Sequence, residues 1–147
     1  SMGNRKYSFI LKLLLGRFFI NRRLNDSENT DFYNNSEISF QYARWSEITR
    51  RIFESGACGC CIITNKIPKG KMLEKIFTHN ESIIFYTNIF SLIKQLFLIL
   101  KDKKKIKRIS ENSYYIIKRN HTVDIRVDTL IKLVNKFNTE DKASICQ

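Results

Sequence analysis

Three short apolar segments separated by helix-like segments dominate the pattern of this chain. In EISFQYA, residues 37–43, apolar and polar positions alternate as they do in a half-buried strand. CCIITN and SIIFYTN, residues 60–65 and 82–88, are nearly continuous apolar runs typical of strands buried on both faces. Because helical patterns lie between these segments, they predict right-handed β-α-β units and an α/β fold with a parallel sheet.

Helical spacing of apolar residues fills much of the remaining chain. Ser46 is placed to cap a helix that begins at Glu47, and Gly56 and Gly59 lie where that helix should end. Residues 24–37 are polar, acidic and rich in Asn, which predicts a loop or linker. The other predicted helices are a basic one at 6–22, a short one at 72–77, and three near the C-terminus at 89–102, 104–119 and 123–137.

Composition and charge narrow the possible partners. The chain has 147 residues, of which 43% are hydrophobic, and this is enough for one ordinary core. It carries 26 Lys and Arg against 14 Asp and Glu, so the net charge of +12 favours nucleotides, nucleic acid or an anionic membrane surface. Basic residues concentrate in residues 1–23 and in KDKKKIKR, residues 101–108.

The apolar segment near the N-terminus does not have the features of a membrane span. Lys12 and Arg17 interrupt it, so it is too short and too charged to cross a bilayer, and it lacks a signal-peptide cleavage pattern. We therefore expect a cytoplasmic protein with reduced thiols, whose basic surface allows peripheral contact with a membrane.

Cys58 and Cys61 form a Cys-x-x-Cys pair. A redox pair of this type needs its first thiol at a helix N-terminus, whereas this pair follows a predicted helix and opens a strand. A structural zinc ion needs four ligands, and the other candidates, Cys146, His79 and His121, are each isolated in sequence. We interpret the cysteines as small apolar residues packed beside a glycine turn, and we expect no metal site.

The segment SEITRRIFESGACG, residues 46–59, is the strongest candidate for chemistry. In open α/β sheets, ligands bind outside the carboxyl ends of the strands, where the next helix offers free N–H groups to phosphate. If the helix begins at Glu47, Glu47 and Glu54 share a face, and a carboxylate there can accept hydrogen bonds from a ribose diol. Arg44, Arg50 or Arg51 could contact a diphosphate. The alternative is an ordinary amphipathic helix with solvated Glu–Arg pairs.

The same segment resembles a known family. Arg51 to Gly59 match the pattern R-x-F-E-x-x-A-C-G, and the following strand ends in Thr-Asn; both are similar to the C-terminal half of GT-B glycosyltransferases of the group 1 superfamily, especially the CgeB-like branch. The similarity continues through KGKMLEKIFTHNESIIFYTN, residues 69–88. It ends with the family's H-T-x-x-x-R helix at His121, Thr122 and Arg126, so residues 33–137 are covered.

The resemblance implies roles for several residues. Glu54 matches the glutamate that binds the nucleotide ribose, and the loop and helix start from Arg44 through Ser46 to Ile48 match the region near the diphosphate and the donor sugar. Glu47 is the candidate for the first, catalytic acidic residue of the family's paired-glutamate motif, although the common spacing is one residue longer. No metal is expected, because the chain lacks Asp-x-Asp and because Arg side chains and a helix N-terminus can stabilise the leaving diphosphate.

The resemblance also implies a domain organisation and an activity. A basic helix and an acidic linker at 1–32 are expected to precede a Rossmann-like domain at 33–138 and a flexible tail at 139–147. The domain resembles the donor half of a GT-B fold that is truncated at its N-terminus. Such a domain would transfer a sugar, as a hexosyltransferase does, but only together with an acceptor-binding domain or subunit. Two alternatives are a basic adaptor for nucleic acid or anionic membranes and a degenerate glycosyltransferase fold that assembles with a partner. Nucleic acid is the less favoured partner, since no aromatics interleave the lysine run.

Overall fold

The computed structural model of the protein describes residues 24–43, 47–67 and 71–145. The predicted N-terminal helix at 6–22 therefore lies outside the described residues, as do Arg44 and Ser46. The chain divides into two compact units, Ser1–Asp31 and Phe32–Gln147. The sheet and the helices that cover it belong to the second unit.

The first described element corrects the prediction of a loop at 24–37. Asp26–Asn34 form a helix, α1. Its first turn is closed by a reciprocal pair of hydrogen bonds, in which the Glu28 N–H donates to Asn25 Oδ1 at 2.8 Å and the Asn25 N–H donates to Glu28 Oε2 at 3.0 Å. This capping box, together with acidic residues at the positive end of the helix dipole, outweighs the weak helix propensity of the Asn-rich sequence.

The predicted parallel sheet is confirmed, with strands β1 (Ile38–Gln41), β2 (Cys61–Asn65) and β3 (Ile84–Tyr86) in the order β1-β2-β3. Ile38 pairs with Cys61 in the first ladder, and Ile63 pairs with Ile84 in the second. The central strand β2 is buried at its first four positions, as its continuous apolar sequence predicts.

Five further helices lie in segments where the sequence predicts helices, although the first of them begins later and the last ends later than predicted. Asn88 and Ser91 form a capping box at the start of the fourth helix, and the Asp102 side chain caps the fifth. The last helix continues through 139–145, where the sequence predicts a flexible tail, because no Pro or Gly interrupts it after residue 123. These helices are α2 (Arg50–Ala57), α3 (Lys71–Ile76), α4 (Ile89–Leu100), α5 (Lys103–Asn120) and α6 (Val123–Ile145).

Two hydrophobic clusters cover the two faces of the sheet. Alternate residues of a strand point to opposite faces, and Ile62 belongs to one cluster whereas Cys61 and Ile63 belong to the other. The first cluster joins α2 and α3 to the C-terminal part of α5 through Ile117, and the second joins α4 to the N-terminal part of α5. Helix α5 therefore contributes to both layers. The Rossmann-like prediction is confirmed.

Helix α2 approaches its neighbours most closely at Gly56, which is buried. A Cβ atom added there would lie 2.4 Å from Ile117 Cδ1 and 2.9 Å from both Ile62 Cδ1 and Ser113 Oγ. Only a glycine lets α2, β2 and α5 meet at this distance. The glycine thus fixes the position of α2 over the sheet.

Candidate functional site

The carboxyl ends of the strands are tied together by polar groups of the backbone and of Asn65. This residue ends β2, and its side chain accepts a hydrogen bond from the Ala43 N–H at 2.7 Å and donates one to the Ala43 carbonyl at 3.1 Å. The Lys66 N–H donates to the Tyr86 carbonyl at 2.7 Å, which joins the ends of β2 and β3. The segment that leads from β1 to α2 is therefore anchored at its first residues.

The start of α2 differs from the prediction. The helix begins at Arg50, and Thr49 is its N-cap residue with an extended backbone (φ −76°, ψ 142°). Ile48 packs against the first hydrophobic cluster, so the chain stays extended in order to bury this side chain. Glu47 is exposed and precedes the helix, so Glu47 and Glu54 do not share a helical face. The prediction of a helix from Glu47 is wrong, and Ser46 is not the N-cap residue.

The N-terminus of α2 has one unusual feature. The side chain of Thr49 makes no capping hydrogen bond, and its Oγ1 atom is shielded from solvent without a hydrogen-bond partner among the described residues. Helix N-termini normally have their first N–H groups capped by such a hydroxyl. Here the Ile52 N–H donates to the Thr49 carbonyl at 3.1 Å, whereas the Thr49 side chain does not cap the N–H groups of Arg50 and Arg51, which remain suited to an anion.

Glu54 lies on α2 near groups from β1 and α1. Its side chain is 32% exposed, and Oε1 pairs with Arg50 Nε at 2.6 Å. Arg51 and Glu54 both lie close enough to influence the pKa of Tyr33, which burial raises and a hydrogen bond from the Gln41 side chain lowers in part. Tyr33 and Gln41 thus join the predicted residues Arg50, Arg51 and Glu54. Tyr33 and Gln41 are brought there by the packing of residues 33–41 against α2, for which the sequence offers no local signal.

The cysteines occupy the opposite end of α2. Cys58 is the C-cap residue, and Gly59 continues with φ +80°, so the predicted helix-ending turn is confirmed. Burial raises the pKa of the Cys60 thiol to about 11 and that of Cys61 to about 12. The Cys60 thiol lies 3.3 Å from the carbonyls of Tyr33 and Ser36, to which it donates. These thiols are protonated at neutral pH, which disfavours both thiolate chemistry and metal ligation.

Metal-ligating side chains do not converge in the described part of the chain. In residues 24–43, 47–67 and 71–145, no three His, Cys, Asp or Glu side chains are grouped so that they could hold a metal ion. An open cavity of about 310 Å³ is lined by residues such as Thr78, Ser82 and Asn112. Since residues 78–82 precede β3, this cavity lies at the other end of that strand from the candidate site.

Two residues of the H-T-x-x-x-R segment pack against Phe53 on α2. The centroids of the His121 and Phe53 rings are 5.5 Å apart. The Arg126 guanidinium carbon lies 4.6 Å from the Phe53 centroid, which is within the range of a cation–π contact. Phe53 itself packs against the first hydrophobic cluster. The turn between α5 and α6 therefore contacts α2, the helix that carries Glu54, through His121 and Arg126.

Both histidines predict a dependence of stability on pH. Burial lowers the pKa of His121 below 6.5, with Arg126 adding to the effect, and burial together with Lys105 and Lys66 lowers that of His79. The unfolded chain then binds more protons than the folded chain below about pH 6.5, so stability is complete above that pH and is lost as the pH falls toward the folded-state values. In His79, Nδ1 also accepts a hydrogen bond from the Phe85 N–H at 2.9 Å, which protonation removes.

We expect the free energy of unfolding to decrease from pH 7.5 to pH 5.5 in urea titrations. His79→Gln and His121→Gln should each make this decrease smaller, and the double variant should make it smallest. An unchanged pH dependence in the double variant would contradict the assignment to these two rings.

Comparisons with known proteins agree with this architecture. The family model described as glycosyl transferase-like matches residues 6–132. The C-terminal domain of LpcC, a glycosyl transferase group 1 family protein from Francisella tularensis, superimposes with a TM-score of 0.65 at 18% identity over 82% of this chain and 64% of that domain. No curated protein sequence gives a significant match.

The fold and the family match define the class of the protein. A parallel sheet with helices on both faces and a C-terminal helical segment is the architecture of the C-terminal half of a GT-B glycosyltransferase. The chain belongs to the glycosyl transferase-like family, because that family's model matches most of its length. It spans 64% of the length of the solved LpcC domain.

Proposed function

We propose that this domain binds the nucleotide-sugar donor of a glycosyltransferase at the carboxyl edge of its sheet. The family and fold support glycosyl transfer in general. The observation that carries the proposal is the start of α2, the helix that follows β1, where the Thr49 side chain leaves the N–H groups of Arg50 and Arg51 uncapped. The CgeB-like branch, the hexosyl class of the donor and the role of Glu47 belong to the same proposal.

In the proposed complex the diphosphate lies at the N-terminus of α2. The N–H groups there and the positive end of the helix dipole favour negative charge, and Arg44, Arg50 or Arg51 adds a bidentate partner. These groups stabilise the leaving diphosphate as the glycosidic bond breaks, so the proposal includes no metal ion. Ser46 and Ile48 belong to the segment that approaches the donor sugar.

Glu54 is the proposed acceptor for the ribose hydroxyls. A carboxylate can accept two hydrogen bonds from a diol, and the observed pair with Arg50 uses one of its oxygens. Tyr33 lies near it, and Gln41 hydrogen-bonds to Tyr33, so the two add neutral hydrogen-bonding groups. Sugar transfer itself needs an acceptor, which we assign to another domain or a partner subunit.

Calorimetric titration of the protein with UDP, GDP, CDP and ADP tests the proposal. We expect one nucleotide to bind with one-to-one stoichiometry, and we expect EDTA to leave its affinity unchanged. Failure of all four to bind, with or without Mg²⁺, would contradict donor binding by this chain and favour the assembly-subunit alternative. Binding only in the presence of Mg²⁺ would contradict the metal-independent part alone.

A further inference from the structure

One side of α4 exposes a continuous apolar stripe. The neighbouring side packs through Leu92, Leu96 and Ile99 into the second hydrophobic cluster. At 3.6 residues per turn, the exposed apolar residues occupy an arc of about 100° that adjoins this buried side. Phe90 is 79% exposed, and large apolar side chains on protein surfaces seldom form such a continuous group. The α4 stripe consists of Ile89, Phe90, Ile93, Phe97 and Leu100.

Positive charge borders the α4 stripe. Lys101 Nζ lies 3.9 Å from the Phe97 ring centroid, and Lys94 follows Phe90 by one helical turn. Helix α4 contains no acidic residue, and the carboxylate of Asp102 accepts the Lys105 N–H as the cap of α5. In the described part of the chain, Lys94, Lys101 and Lys104 make no ion pair, whereas Lys103 pairs with Glu37 and Lys107 with Glu111.

The lysines beside the α4 stripe allow three possible partners to be compared: a second copy of the chain, nucleic acid and an anionic lipid surface. A second copy of the chain would place Lys94 and Lys101 of both copies at one interface, where Asp102 is the acidic residue next to the stripe and already caps α5. Nucleic acid would pair with the lysines, but it would leave Ile89, Ile93 and Leu100 unexplained. An anionic lipid surface fits both features, since its headgroups attract lysines and its interfacial region accepts aromatic and aliphatic side chains.

Helix α6 provides an internal comparison. It also exposes apolar residues, among them Val127, Leu130 and Val134. Two acidic residues, Asp124 and Asp128, border that row on one side, so an anionic surface would repel part of its rim. The combination of an apolar stripe with a border that holds Lys94, Lys101 and Lys104 against the single carboxylate of Asp102 distinguishes α4 from α6.

We propose that α4 docks the protein onto anionic membranes and lies in the plane of the lipid interface. The α4 stripe enters the interfacial region, and Lys94, Lys101 and Lys104 contact lipid phosphates or carboxylates. In the described residues, no helix is both long enough and apolar enough to cross a membrane. The surface is independent of the donor site, so this inference does not rest on the proposed function.

Flotation of the whole chain with vesicles tests this proposal. We expect binding to vesicles of phosphatidylcholine mixed with phosphatidylserine, and binding at least about tenfold weaker to phosphatidylcholine alone. Phe90→Ser/Ile93→Ser/Phe97→Ser should lower affinity for the mixed vesicles by about tenfold or more. Lys94→Gln/Lys101→Gln/Lys104→Gln should lower it too and should reduce its dependence on salt.

The α6 variant Leu130→Ser/Val134→Ser serves as the matched control, since it removes similarly exposed apolar side chains. It should bind the mixed vesicles like the wild type, and circular dichroism should show that all variants remain folded. Absence of wild-type binding, or equal binding by the α4 serine variant, would overturn the proposal. So would a wild-type dimer that the α4 serine variant dissociates while its vesicle binding is unchanged.

Discussion

Replacing Gly56 with valine should lower the free energy of unfolding by about 3 kcal/mol, the upper part of the range for overpacked cores. The new Cβ would meet Ile117, Ile62 and Ser113 at distances of 2.4 to 2.9 Å, and the branched side chain would add further overlap. Gly56→Ala should cost about 1 to 2 kcal/mol, since the Ile117 Cδ1 atom can move by rotation of its side chain. Urea unfolding followed by circular dichroism measures both values.

Two comparisons identify the cause of this loss. Ile117→Val removes the atom that lies 2.4 Å from the added Cβ, so Gly56→Ala should cost less in that background than in the wild type. Gly59→Ala is the matched glycine control, because no atom lies within 4 Å of its added Cβ and only the backbone at φ +80° is strained. That control should cost about 1 kcal/mol. A Gly56→Val protein as stable as the wild type would contradict the close packing of α2.

Glu54→Gln should weaken binding of the preferred nucleoside diphosphate by about 10- to 100-fold, or about 1.5 to 3 kcal/mol. The substitution keeps the shape of the side chain but removes the charge that strengthens hydrogen bonds from the ribose hydroxyls. Titration calorimetry gives the two affinities. The loss of the exposed pair with Arg50 should change the free energy of unfolding by less than about 1 kcal/mol.

Glu111→Gln is the control for this substitution. Glu111 forms an i,i+4 pair with Lys107 on α5, similar in spacing to the Arg50–Glu54 pair on α2, but it lies outside the proposed site. Its replacement should leave nucleotide affinity unchanged. Equal affinities in the wild type and in the Glu54→Gln protein would remove Glu54 from the binding site, even if the nucleotide itself binds.

Sequence patterns predict those helices and strands for which the local residue preference and the burial imposed by the whole fold favour the same structure. Ile62 and Ile63 point to opposite faces of β2, so both can be buried only if helices cover both faces of the sheet. This is the observed arrangement, and β2 is the central strand. Asn25 and Glu28 have capping-box spacing, yet the Asn-rich composition of the segment predicts a loop where α1 forms. The sequence places the start of α2 too early, because the burial of Ile48, a tertiary effect, outweighs a favourable N-cap sequence.

The candidate site was predictable only in part. A motif on one short helix predicts Arg50, Arg51 and Glu54, whereas Tyr33 approaches Arg51 and Glu54 from another element and is joined there by Gln41. Contacts of that kind depend on the packing of α2 on β1. The charge pattern at 101–108 was visible in the sequence, but the contact of Lys101 with Phe97 and the exposure of the α4 stripe required the packing of α4 to be known.

The contact of Gly56 with Ser113 and Ile117 also affects the order in which the protein can fold during its synthesis. The ribosome makes α2 and β2 well before α5, yet α2 obtains its closest packing partner only from α5, and His121 and Arg126 follow later still. The nascent chain must therefore keep Ile52 and Ile62 without their final cover until α5 leaves the exit tunnel. During that interval the apolar sheet is the surface on which a chaperone could act.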